Sequence, residues 1–195
     1  MNLHRCRALS ITAIAATLTL AACGSDHSSM DSSSNTVGSS GLNDADIEFA
    51  QGMIAHHEQA IEMAEIALDP NVGASEEVLD LATRIKGAQD PEVELMTGWL
   101  TAAGEPVAMD TSEGHDMSSM DGMMSAEQMD EMASMKRAEF DQVWLRMMVA
   151  HHEGAISQSE TVKADGASAD VRALADQIIA AQQAEITEMQ ALITS

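Results

Sequence analysis

The strongest constraint on this chain is that it carries one sequence pattern twice. Met53-Ile54-Ala55-His56-His57-Glu58-Gln59-Ala60-Ile61 returns as Met148-Val149-Ala150-His151-His152-Glu153-Gly154-Ala155-Ile156. At the same offset Asp46 corresponds to Asp141 and Phe49 to Trp144. With an offset two residues shorter, Val78 corresponds to Val171, Leu81 to Leu174, Ile85 to Ile178, Gln89 to Gln182, Glu92 to Glu185, Met96 to Met189 and Leu100 to Ile193. The change of offset puts a shorter inter-helix connection in the second copy. Repetition over this length is the mark of a supersecondary unit that buries its apolar face against its own copy. Two related helical hairpins in one domain are predicted.

Local patterning agrees. Ala50, Met53, Ile54, His57, Ile61, Ala64 and Leu68 recur at spacings of three and four, the stripe of an amphipathic helix. That helix should start at Asn43 or Asp44, both good N-caps, and stop at Asp69-Pro70-Asn71. A second helix, capped by Ser75 with Glu76 and Glu77 in its first turn, should run to about Leu100. Its inward series is Val78, Leu81, Ile85, Gln89, Glu92, Met96 and Trp99, and Pro91 within it predicts a kink. Ser125-Ala126-Glu127-Gln128 reads as a capping box that opens a third helix, predicted to continue unbroken through His151 and His152 to about Lys163. Asp165-Gly166 then turns into a fourth helix capped by Ser168. Strand-like alternation is not visible, so the class is an all-α four-helix bundle with a longer crossover between its hairpins.

The N-terminal segment is expected to be processed rather than folded. Arg5 and Arg7 precede the apolar run Ala8 to Leu20, which is too short to span a bilayer, and Leu20-Ala21-Ala22-Cys23 resembles a lipobox. Residues 1–22 are therefore expected to be a lipoprotein signal peptide, with Cys23 lipidated and anchoring the protein at the extracytoplasmic face of the cell membrane; the alternative is an ordinary secretory signal cleaved nearby. The Ser/Gly-rich residues 23–42 form a tether. The bundle domain is 43–195, with hairpins at 43–101 and 125–195 and a crossover at 102–124. Loss of Cys6 with the leader and acylation of Cys23 leave the domain without a thiol or a disulfide. Any soft metal ligand must then be methionine. The formal net charge of -23 excludes nucleic acid as a partner and favours cations.

The histidine pairs carry the chemistry. A buried imidazole needs a partner for its polar nitrogens, and Gln89, Glu92, Gln182 and Glu185 are available on the opposing helices. One reading is a purely structural polar network. The other is a metal site at the centre of the bundle. Ferritin-type di-iron bundles place Glu-x-x-His on facing helices, whereas here Met53 and Met148 stand three residues before His56 and His151. Thioether and imidazole favour Cu(I) or Ag(I) over iron, which counts against a ferritin-like oxidase. The candidate ligands are Met53, His56, His57, Met148, His151 and His152, with the two Gln and two Glu as supporting groups or further ligands. Plain core packing is the alternative for the methionines. Asp46 fits a helix start, but Asp141 falls deep in the predicted third helix, so both are assigned a supporting or structural role.

A second signal lies in the crossover. His115, Met117, Met120, Met123 and Met124 sit among Asp, Ser and Gly with almost no apolar companions, which points to a solvent-exposed segment capturing soft metal; oxidant scavenging is the alternative. Met129, Met132 and Met135 can instead pack on the bundle.

Taken in order, Asp46, Phe49, Met53, His56, His57 and Ile61, followed by Gln89, Glu92, Met96, Trp99 and Leu100, resemble the bacterial family of domains of unknown function numbered 305, and the second half repeats the pattern. The resemblance covers about Asn43 to Ile193 and implies a ferritin-like four-helix architecture. It also implies extracytoplasmic copper binding, known for some members, without a settled reaction. In the second half Trp144 replaces Phe, Val149 replaces Ile, and Leu192-Ile193 stands where Trp99-Leu100 does; the polar set is intact. The expectation is copper sequestration or handover as Cu(I). A non-metal envelope protein with a structural His/Glu core is the alternative.

Overall fold

The computed structural model describes residues 41–109 and 120–193, so Cys23, the predicted leader and most of the tether, His115 and Met117 lie outside the described residues. All the secondary structure described is helical: α1 (Asp44–Leu68), α2 (Glu76–Ala103), α3 (Ala126–Ser134), α4 (Arg137–Asp165) and α5 (Ala169–Ile193). No described helix is long and apolar enough to cross a membrane.

The helices begin where side chains can take up otherwise unpaired backbone N–H groups. Asn43 and Asp46 make a reciprocal capping box at α1, Ser75 accepts from the Val78 N–H at α2, Ser125 and Gln128 form the box of α3, and Ser168 accepts from the Val171 N–H at α5. α2 runs on through Pro91 to Ala103. The expectation of one unbroken third helix fails. α3 ends at Ser134, and α4 starts at Arg137 with a left-handed φ of 56°. No Gly or Pro marks that break. Its cause is tertiary: the Arg137 N–H donates to the Val72 carbonyl in the α1–α2 turn, 3.0 Å away, instead of continuing a helix. The bundle therefore has four long helices and one short one.

α1 packs on α2, α4 on α5, and α1 on α4. The α1–α4 pair is antiparallel, because His56 meets His151 while Met63, two turns on, accepts from the Trp144 indole N–H at 2.9 Å, two turns back. α4 thus starts at the end of the bundle opposite to where α2 finishes, and the crossover must travel the length of α1. Its anchors fall in order: Gln51 donates to the Pro106 carbonyl at 2.7 Å, Asp121 reaches His56, Gln59 pairs with Met124, and Arg137 reaches Val72.

Two apolar clusters form the core. One holds Phe49, Met53, Met96, Leu100, Val171 and Ile178. The other, at the opposite end, holds Met63, Leu81, Ile85, Trp144, Met148 and Met189, together with Met124 from the crossover and Met129 and Met132 from α3. Trp99, expected inward, is only partly buried against the first cluster.

The aspartates of the repeat close the two hairpins on each other. Asp46, wholly buried, accepts through Oδ2 from the backbone N–H of Ala167 at 3.1 Å and Ser168 at 3.0 Å, at the start of α5. Asp141 on α4 accepts from the N–H of Ser75, at the start of α2. Each hairpin's first helix thus completes the cap of the other hairpin's second helix.

Candidate metal centre

Between the two apolar clusters lies a polar layer. α1 supplies His56 and His57, α2 Gln89 and Glu92, α4 His151 and His152, and α5 Gln182 and Glu185. The four histidines are at most 1 % exposed, and both glutamines are buried with Oε1 unpartnered within the protein. Glu92, expected wholly inward, is partly exposed, as is Glu185.

The outer histidines are fixed by their glutamates. His57 Nε2 lies 2.7 Å from Glu92 Oε2, and His152 Nε2 lies 2.7 Å from Glu185 Oε2. A carboxylate can only accept, so Nε2 carries a proton in both rings, and in the neutral form of an imidazole so held Nδ1 keeps a lone pair. Those Nδ1 atoms are buried without a protein partner. A glutamate that fixes the ring and its tautomer while freeing the other nitrogen is the usual support for a metal-binding histidine.

The inner pair is different. The His56 and His151 rings are 3.8 Å apart between centroids and tilted by 47°. His56 Nε2 is 3.3 Å from the Asp121 carbonyl oxygen, which likewise assigns the proton to Nε2 and leaves Nδ1 with its lone pair and no partner. Neither nitrogen of His151 has one. Burial, reinforced by neighbouring His57, lowers the pKa of His56 to about 3, and burial with the nearby histidines takes His151 well below its ordinary value. Both rings are therefore neutral near pH 7, the form that binds metal.

The structure brings together the four histidines and their glutamates but separates the two methionines. Met53 and Met148 are wholly buried, each in a different apolar cluster, so they flank the layer from opposite sides. Among the described residues no three His, Cys, Asp or Glu side chains converge on one ion. A hard di-metal centre needs more oxygen donors than this layer offers, because both glutamates are engaged by histidines. Soft imidazole lone pairs with thioethers nearby suit a monovalent soft cation, which is content with few donors.

The crossover seals this layer, a feature the sequence reading missed. Gly122 and Gly154 touch backbone to backbone: a methyl on Gly122 would stand 2.7 Å from the Ala150 carbonyl oxygen, and one on Gly154 would collide with the Asp121 carbonyl. Gln59, at the position of α1 equivalent to Gly154, holds the same strap by donating to the Met124 carbonyl at 2.8 Å and accepting from the Met124 N–H at 2.7 Å. The signal was present as the mismatch of Gln59 and Gly154 within a nearly identical pattern. The expectation that the crossover methionines are solvent-exposed is overturned for the described ones: Met124 is 9 % exposed in the core, and Met120 and Met123 are half-buried. Asp46 and Asp141 stand apart from the histidines, at the helix caps.

Solved structures of this fold exist. A protein from Streptomyces coelicolor, named as a secreted DUF305 protein, matches with 27% identity and a TM-score of 0.67, covering 77% of this chain and 92% of its own. A DUF305 fragment from Deinococcus radiodurans matches with 27% identity and a TM-score of 0.70, covering 78% and 97%. CopM in its Cu(II)-bound form matches with 31% identity and a TM-score of 0.64, covering 76% and 95%, and CopM has also been solved in Cu(I)-bound and Ag-bound forms. No curated protein sequence matches this chain. The sequence profile described as domain of unknown function DUF305 matches residues 46–193. The doubled Met-x-x-His-His bundle is a member of the DUF305 family.

Proposed function

We propose that this is an extracytoplasmic copper-binding protein, anchored through Cys23, that holds Cu(I) in the histidine layer for sequestration or handover. The observation that carries the reading is the set of buried imidazole nitrogens without a partner among the described residues: Nδ1 of His56, His57 and His152, and both nitrogens of His151. Folded proteins rarely leave such groups unpaired in the core, because each costs about 1–3 kcal/mol. The cost makes sense if the nitrogens are donors for a ligand. His56, His57, His151 and His152 supply imidazole, Met53 and Met148 supply thioether from either side, Glu92 and Glu185 orient the outer rings, and Gln89 and Gln182 border the layer. Asp46 and Asp141 hold the helix ends. His115, Met117, Met120, Met123 and Met124 act as a collecting segment for soft metal.

A structural network accounts for His57 and His152, each bound to its glutamate, but gives His151 no purpose. The Cu(I)- and Ag-bound forms of CopM support a soft cation, and the Streptomyces coelicolor relative supports the location. Titration of the purified protein with Cu(I) against a competing chelator tests the proposal. Tight binding should fall at least a hundredfold when His56, His57, His151 and His152 are all changed to alanine. Binding that is absent, or indifferent to the change, refutes it.

A further inference from the structure

The two halves of the bundle differ at one place in a way that creates a binding groove. Along α1 the chain has Ala45, Glu48, Phe49 and Gly52, where α4 carries Phe140, Val143, Trp144 and Met147; across from Gly52, α4 has Gln158 where α1 has Met63. In the α4 copy this surface is filled and lies in or against the apolar cluster beneath α3. In the α1 copy it is a cavity of about 370 Å³, lined by Glu48, Gly52, Met109, Met120, Gln158 and Asp165 among others.

Three groups meet over Gly52. A methyl placed there would lie 3.2 Å from Met120 Cε, 3.4 Å from Gln158 Oε1 and 3.9 Å from Met109 Sδ. Met109 and Met120 come from opposite flanks of the undescribed stretch and converge on this one spot of α1. Gln158 Nε2 is buried without a protein partner. Glu48 and Asp165 make the lining acidic, and among the described residues no basic side chain borders it. Asp121 also lines the cavity, and its carbonyl meets His56, so the groove ends at the strap covering the histidine pair.

We propose that this groove is an outer site for a soft monovalent cation, held by the Met109 and Met120 thioethers with the Gln158 amide oxygen, one strap away from His56 and His151. Neutral thioether donors select a soft ion over the hard divalent cations that carboxylates alone would hold. The acidic lining raises the local cation concentration. The absence of a side chain at residue 52 gives the three groups their room. This deepens the copper-handling reading and rests on it for the biological cargo, but the site can be tested separately.

The probe is Ag(I), a redox-inert soft cation, titrated into the full chain labelled with 13C at the methionine methyls, alongside histidine ring resonances. The Met109 and Met120 methyls should shift together, and should still shift when His56 and His151 are both changed to alanine. Gly52→Met, which installs the residue of the second repeat, should abolish these shifts while the histidine resonances still respond. M109L/M120L, which leaves α1 intact should Gly52→Met fail to fold, should remove one equivalent of bound Ag(I), counted by equilibrium dialysis. Histidine resonances that stay still while the two methyls move would count against the histidine-layer reading alone. The outer site is overturned if the two methyls do not move as Ag(I) binds, if they move only with both histidines present, or if Gly52→Met leaves their shifts intact and M109L/M120L binds as many equivalents of Ag(I) as the parent.

Discussion

Replacing His151 with leucine separates a histidine layer kept for a ligand from one that holds the fold together. His151 is 1 % exposed, neither of its nitrogens has a protein partner, and its ring lies 3.8 Å from that of His56. At about 1–3 kcal/mol for each unpaired buried polar group, the two nitrogens together destabilise the metal-free fold by roughly 2–6 kcal/mol. Leucine removes both groups at similar volume, but its branched shape fits poorly against a flat ring, and such repacking costs about 1–3 kcal/mol. The difference leaves the metal-free variant more stable by roughly 1–3 kcal/mol. For a domain of this size 1 kcal/mol moves Tm by about 2–4 °C, so the variant should melt about 2–12 °C above the parent. Calorimetry on chelator-stripped protein measures this directly. Adding Cu(I) should raise the parent's Tm by mass action and the variant's much less. A metal-free variant that melts several degrees below the parent would show that His151 stabilises the fold, and the reasoning from unpaired nitrogens would be wrong.

Two further outcomes follow from the same layer. Gly154→Ala adds a methyl that collides with the Asp121 carbonyl and lies 2.9 Å from Gly122 Cα, both backbone that cannot swing aside. The strap must lift, losing up to three hydrogen bonds worth about 0.5–1.5 kcal/mol each. Against a helix-propensity gain of about 1 kcal/mol the net loss is roughly 1–3 kcal/mol, with the Met124 amide losing its hydrogen-exchange protection; an equally stable variant with that amide still protected contradicts the strap contact. The pH dependence has a definite sign. Because the folded pKa of His56 is about 3 and that of His151 is also lowered, both against an ordinary 6.5, the unfolded chain gains protons first as pH falls. Their titration leaves the fold unaffected above about pH 6.5; below it stability falls, for His56 down towards pH 3 at up to about 1.4 kcal/mol per pH unit, and for His151 in the same direction. Urea unfolding of metal-free protein at pH 7.5, 6 and 5 should show the decline, with a shallower slope in His151→Leu; identical slopes would argue against a buried neutral His151.

What was legible in the sequence is what side chains encode locally or by repetition. The boundaries at Asn43, Ser75, Ser125 and Ser168 follow from caps, and the pairing of His57 with Glu92 and His152 with Glu185 follows from two copies of the same periodicity. The break before Arg137 was illegible because its cause is a carbonyl at Val72, distant in the chain. The Asp121 carbonyl above His56 is a backbone atom with no residue signature, so the strap could not be foreseen from side-chain chemistry. Met53 and Met148 share a spacing with the histidines, but antiparallel packing turns that shared spacing into opposite directions along the bundle. The partners of the two aspartates, backbone N–H groups at Ser75, Ala167 and Ser168, were not foreseeable, because a main-chain donor leaves no residue signature.

That exchange of caps bears on what counts as a folding unit here. Asp46 serves a helix start that lies 121 and 122 positions away in the chain, and Asp141 serves one 66 positions away. Neither hairpin can finish its own second helix, so a hairpin made alone completes its caps only by pairing with another copy of itself. The fold has the bonding of a twofold dimer whose two chains are joined by the crossover. Because the joined copies need not remain identical, one face can be packed shut while its twin stays open.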